Sequence, residues 1–144
     1  MKYRKFLLAG ILFLTLYACE VKPVPINYGS DACDFCSMNI VDERHSAQLV
    51  TEKGKNYKFD AIECMVMEME ERNKESWAFI LVADFANPGT MINGPQAVFV
   101  IDPSVPSPMG ADLSAFASLE SALAERTVEK IYNWQEIYEI VKAK

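Results

Sequence analysis

Hydrophobic and polar positions change their period several times along this chain, and each change predicts an element. Ala47–Thr51 and Asn56–Phe59 flank Glu52-Lys53-Gly54-Lys55, a polar stretch with one glycine, so a β-hairpin is expected. Asp60 stands where a helix N-cap belongs, and Glu63 completes a capping box. Together they predict a helix to about Asn73 with Ile62, Met65, Val66 and Met69 on one face. Trp77–Asp84 is a continuous apolar run and reads as a buried strand. In the second half, Ala97–Ile101 is a strand by its β-branched and aromatic content, Pro103–Gly110 an irregular loop, and Leu113–Ala117 the return strand. Ser118 opens a helix through about Arg126, with Ser121 offering a partial box. Val128–Ile131 is short and apolar, and Trp134–Val141 is a helix with Trp134, Ile137, Tyr138 and Val141 on one side. The order strand, strand, helix, strand recurs in each half as a faint repeat without sequence identity, which gives an α+β chain with halves of about 29–86 and 87–144.

The N-terminus follows a different logic. Lys2, Arg4 and Lys5 precede the apolar run Phe6–Leu16, and Leu16-Tyr17-Ala18-Cys19 follows. This is the architecture of a secretory signal peptide over residues 1–18, with a hydrophobic stretch too short to span a bilayer. A small residue immediately before Cys19 suits a lipoprotein signal peptidase, so Cys19 is read as the lipidated first residue of the mature chain; ordinary cleavage nearby is the alternative. Residues 19–28, with Pro23 and Pro25 and no periodicity, read as a tether, and the folded domain is expected from Gly29. These features place the protein on the periplasmic side of the cell envelope, anchored to a membrane by lipid. Glu20 is not the aspartate that retains many lipoproteins at the inner membrane, which leaves the outer membrane open.

Charge and cysteine number narrow the chemistry. Without residues 1–18 the chain keeps 11 of its 14 cations against 20 anions, a net charge of −9, which argues against nucleic acid as a partner. With Cys19 assigned to lipid, Cys33, Cys36 and Cys64 remain, an odd number for an oxidising compartment. Cys33-Asp34-Phe35-Cys36-Ser37-Met38 is the motif that stands out. Two cysteines three apart on a turn bring both sulfurs to one point, and Met38 adds a thioether. Thioether sulfur suits Cu(I) and suits zinc poorly. A zinc knuckle completed by Cys64 or His45, and a Cys33–Cys36 disulfide, are the competing readings.

Other sulfurs fall into two groups. Cys64, Met65, Met67 and Met69 lie on the predicted helix, where packing is the usual role, so Cys64 reads as a buried, unreactive thiol. Met91 reads as core, and His45, beside Glu43 and Arg44, as a surface histidine. Met109 differs, because in Pro108-Met109-Gly110 no periodicity asks for an apolar side chain; it is either a further ligand or a loop anchor. No P-loop, GxSxG elbow or dinucleotide fingerprint is present, and Glu68, Glu70 and Glu71 read as a solvated helix face, so no enzyme activity is expected.

Taken together, the lipobox at Cys19, Cys33-Asp34-Phe35-Cys36-Ser37-Met38-Asn39-Ile40, Phe59-Asp60-Ala61-Ile62-Glu63-Cys64 and Pro108-Met109-Gly110 with Ala115-Phe116 resemble the NosL-type lipoproteins, copper chaperones for nitrous oxide reductase assembly. The resemblance covers Tyr28 to about Ala117 and extends to the final helices. It implies two small ββαβ units packed into one domain, and Cu(I) held by Cys33, Cys36 and Met38 with Met109. It also implies delivery of copper to the catalytic copper–sulfide cluster of the reductase, with a membrane copper transporter or maturation complex as a further partner. The chain departs from the family at Met91-Ile92-Asn93, where an aromatic is usual. Another copper enzyme as client, a structural zinc module and a thiol-redox lipoprotein remain the alternatives, and dimerisation of metal-bound chains stays open.

Overall fold

Glu52–Lys55 turns the chain back on itself as expected, so that β1 (Ala47–Thr51) and β2 (Asn56–Phe59) form an antiparallel hairpin with Ala47 opposite Phe59. The computed structural model describes residues 20–125 and 130–143. The signal-peptide and lipidation readings at 1–19, the expected helix end at Arg126, and Val128 and Glu129 of the short apolar stretch lie outside them. Helix α1 (Ile62–Glu71) follows, then β3 (Trp77–Ala83), which pairs antiparallel with the other edge of β1. A short strand β4 (Met91–Asn93) adds to β3, giving one sheet of order β2-β1-β3-β4. After a 3-10 turn at Gly94–Gln96, β5 (Val98–Ile101) and β6 (Leu113–Phe116) make a second sheet, followed by α2 (Leu119–Glu125) and α3 (Trp134–Lys142).

Among the described residues the protein is an α+β fold of three α-helices and two antiparallel sheets. In each half, the first strand of a hairpin is also paired by the segment that follows the helix. That segment is β3 beside β1, and Tyr132, bridged to Phe99, beside β5. Both sheets and the helices α1 and α3 share one core, in which Leu49, Phe59, Ile62, Met65, Phe99, Leu113 and Ile137 are buried. A smaller cluster of Phe85, Val100, Phe116 and Ala122 lies under α2.

Three expectations need correction. Trp77–Ala83 is not buried throughout: only Val82 and Ala83 are, because Phe79 and Leu81 face outward and residues 23–26 cover them in part. Strand β4 is unpredicted, since three residues are too few to show an alternation; Gly89, at φ 79°, makes the turn that returns the chain to β3. Residues 22–28 are held on the sheet. Gln48 donates to the Val24 carbonyl at 2.8 Å, Lys58 to the Pro25 carbonyl at 2.7 Å, and the hydroxyls of Tyr28 and Ser46 lie 2.8 Å apart. This docking on the outer face is why all five residues of β1 are buried.

Candidate metal centre

The Cys33–Met38 segment closes on itself before it meets anything else. The Cys33 N–H donates to the Met38 carbonyl at 2.8 Å, and the Ser37 N–H to the Cys33 carbonyl at 2.9 Å. Ala32 and Asn39 bridge antiparallel across the base, with Ser37 in the left-handed region at φ 64°. Asp34 clasps this turn to the end of β2. Its N–H donates to the Lys58 carbonyl at 2.8 Å, and its carboxylate accepts the Lys58 N–H at 2.6 Å. Two residues after Lys58 the chain reaches Asp60 and the first turn of α1. The clasp therefore carries Cys33 and Cys36 to Asp60 and Cys64, and one donor atom from each of these four lies within 4.8 Å of the others.

Asp60 is not the helix cap. Ala61 takes that position in extended backbone with no side-chain capping bond, and the expected box with Glu63 does not form. Asp60 instead accepts the Cys36 thiol on Oδ1 at 3.5 Å, while Oδ2 is buried with no partner among the described residues. Cys33 and Cys64 are buried and Cys36 is half-buried; all three are free thiols. The Cys33–Cys36 disulfide reading is thereby replaced by a thiol cluster.

A hydrogen bond from the Cys64 thiol is the main cause that lowers the Cys33 pKa to about 6, helped by backbone N–H groups around the turn and opposed by burial. The same bond, with burial behind it, pushes Cys64 far up, and burial raises Cys36. The first-turn N–H groups of α1 add a positive field at Cys64.

The methionines sit at the surface. Met38 follows the turn directly and is 46% exposed; Met109 is 43% exposed in the loop between β5 and β6. That loop is tied to α1, where Glu63 accepts the Ser107 hydroxyl and, at 3.2 Å, the Ala111 N–H. Cys64, read from the sequence as an inert packing thiol, is buried as expected but stands inside the cluster. His45 is not a surface residue. It is buried, with Nδ1 at 2.7 Å from Asp42, Nε2 at 3.4 Å from Ser114, and Phe85 edge-on, outside the thiol group. Met91 lines the outer groove beside Phe79 and Leu81.

The sequence reading missed Asp60 as a member of the cluster and carried Cys64 only as a possible completing ligand of a zinc knuckle. The available signal was their position directly after β2, the strand that the Asp34 clasp engages. Three convergent sulfurs suit a soft ion, and the carboxylate at Asp60 widens the donor set toward zinc.

The NosL family model matches residues 23–140. The fold is similar to the crystal structure of the copper chaperone NosL from Shewanella denitrificans, with a TM-score of 0.67 and 21% identity over 81% of this chain and 96% of that chain. No curated protein matches the chain. With a family match over most of its length and the thiol turn that the first motif announced, the chain belongs to the NosL family.

Proposed function

We propose that this protein is a Cu(I) metallochaperone: it receives the ion on the sulfur cluster and passes it to a copper enzyme, with nitrous oxide reductase as the client that the family resemblance implies. The observation that carries this reading is the convergence of Cys33, Cys36 and Cys64 within 4.8 Å, beside a turn that ends in the exposed Met38. Buried thiolates supply affinity, while exposed thioethers add soft, uncharged donors through which an incoming ligand can exchange. The named function of the Shewanella denitrificans protein supports the same cargo. Cys33, Cys36 and Cys64 form the inner set in this reading, Met38 and Met109 the outer one. Lipid on Cys19 would hold the domain at the periplasmic face of a membrane, close to a copper transporter or maturation complex.

Asp60 in the donor group favours one second reading, a structural zinc site of three sulfurs and one oxygen. Competitive titration of the reduced protein with Cu(I) and Zn(II) separates the two. A chaperone prefers Cu(I) and stays folded when the metal is removed. A zinc module prefers Zn(II) and unfolds in chelator.

A further inference from the structure

Glu63 is a buried carboxylate that the helix does not use. It is 6% exposed, Ala61 caps α1 without it, and it does not belong to the thiol and carboxylate group around Cys33. A buried acidic side chain is costly unless its hydrogen bonds are met, so the direction of those bonds reveals its purpose. Every bond that Glu63 makes through Oε1 runs to the loop between β5 and β6: the Ser107 hydroxyl donates to it, and so does the Ala111 N–H at 3.2 Å. Oε2 is buried with no partner among the described residues.

The loop is built around this contact. Ser107 Oγ accepts the N–H groups of Ala111 at 3.1 Å and Asp112 at 3.0 Å, and the Gly110 N–H closes onto the Ser107 carbonyl at 2.9 Å. Gly110 and Asp112 lie in the left-handed region, at φ 75° and 58°, which makes the bend sharp. Pro108 and Met109 are the apex, and both feet of the apex, Ser107 and Ala111, stand on Glu63. The residue after Glu63 is Cys64. One side chain thus fixes the Met109 loop relative to the sulfur cluster.

We propose that Glu63 is the positioning residue for Met109, pinning the Ser107–Ala111 loop to the first turn of α1 so that its thioether is presented to copper held at Cys64 and its neighbours. The proposal rests on the copper reading above and on Met109 as a ligand. Without Glu63 the loop keeps its internal turn and loses its registration on the cluster.

The test uses reduced full-length protein with isotope-labelled methionine methyl groups, and reads Cu(I) affinity together with the Met109 and Met38 methyl resonances. In the unsubstituted protein both methyls shift when Cu(I) is added. Glu63→Ala is expected to abolish the Met109 shift while keeping that of Met38, and to weaken Cu(I) binding about as much as Met109→Ala, roughly tenfold. The double variant should be no weaker than either single one, because both remove the same contact. Glu63→Gln, whose amide oxygen accepts the same two donors, should restore the Met109 shift. Should Glu63→Ala not fold, Ser107→Ala removes the loop's side of the latch and is read in the same way. A Met109 shift that survives in these variants, with losses that multiply in the double variant, would overturn the positioning role. No Met109 shift in the unsubstituted protein would overturn Met109 as a ligand, and the latch with it; loss of Cu(I) binding altogether would overturn the copper reading.

Discussion

Cys33 and Cys64 share a proton unequally, and that inequality has a pH signature. The Cys64 thiol donates to Cys33 and lowers its pKa to about 6, below the ordinary thiol value of about 8.5. A lowered folded value contributes stability fully above the unfolded value, and the contribution is lost as pH falls to about 6. Cys64 is raised and acts in the opposite sense above the unfolded value, where the unfolded chain releases a proton that the folded one keeps. The contribution of this pair to apo-protein stability should therefore climb from pH about 6 to a maximum near the ordinary thiol value and then decline. Urea unfolding across that range tests it, with Cys33→Ser flattening the climb. Thiolate absorbance near the same lower midpoint should move upward in Cys64→Ala. At Met38 the expectation concerns selectivity: Met38→Ala should weaken Cu(I) roughly tenfold or more and Zn(II) little, because zinc gains little from a thioether. Equal losses in the competitive titration would favour the zinc module.

At the scale of elements, the hairpin, α1 and the last helix were legible because their apolar periods are local and their turn residues unambiguous. Helix α3 even carries its cap in full. Asn133 accepts the Glu136 N–H at 3.0 Å and Glu136 accepts the Asn133 N–H at 2.8 Å. Replacing Asn133 by Ala should cost about 1 kcal/mol in denaturant unfolding and leave Cu(I) affinity unchanged, since the cap is at the exposed start of α3 and the polar contacts of that helix with α1 run from Tyr138 and Lys142 to Glu70, none of them in the thiol group. Asp34→Ala is the contrasting case. It breaks the carboxylate's bond to the Lys58 N–H, so a comparable loss of about 1 kcal/mol should be joined by weaker Cu(I) binding as Cys33 and Cys36 lose their registration on Asp60 and Cys64. Strand β4 and the docking of residues 22–28 were not legible, because neither carries a period of its own; both form on edges and faces that exist only after β1 and β3 have paired.

For the whole molecule, the predictions concern where the copper goes. If Cys19 carries lipid, Cys19→Ser should leave the membrane fraction and keep its Cu(I) affinity in solution, because two or more acyl chains supply the stable anchorage that one marginal contact does not. Membrane retention after a high-salt wash would refute the anchor. If the protein hands copper to a client, one that binds the ion tenfold more tightly draws it over with about 1.4 kcal/mol. If nitrous oxide reductase is the client, cells lacking the protein, or carrying Cys36→Ser with Met109→Ala, should make it short of its catalytic copper cluster while other copper enzymes are spared. Full nitrous oxide reduction in such cells at low copper would overturn that client and leave general copper handling.

The sequence by itself determined the α+β order of elements and the sulfur turn at Cys33–Met38, because helical and strand periods, glycine turns and a two-cysteine spacing act over a few residues. It misassigned Asp60 and His45 and left Cys64 between packing and a zinc site, and all three outcomes have one cause. Asp60 looked like a cap, Cys64 like packing and His45 like surface because their nearest neighbours in sequence suggested those roles. Their distant partners are Cys36, Cys33 and Ser114, which lie 24, 31 and 69 positions away, even though His45 also meets the nearby Asp42. Only the Asp34 clasp, which carries the cysteine turn to the end of β2, and the placement of β6 beside His45 decide which side chains meet across such separations. Glu63 shows it most plainly: its place in the sequence spells a helix cap, while the tertiary fold brings Ser107 and Ala111 to it and turns a capping residue into the fixed point for a distant loop.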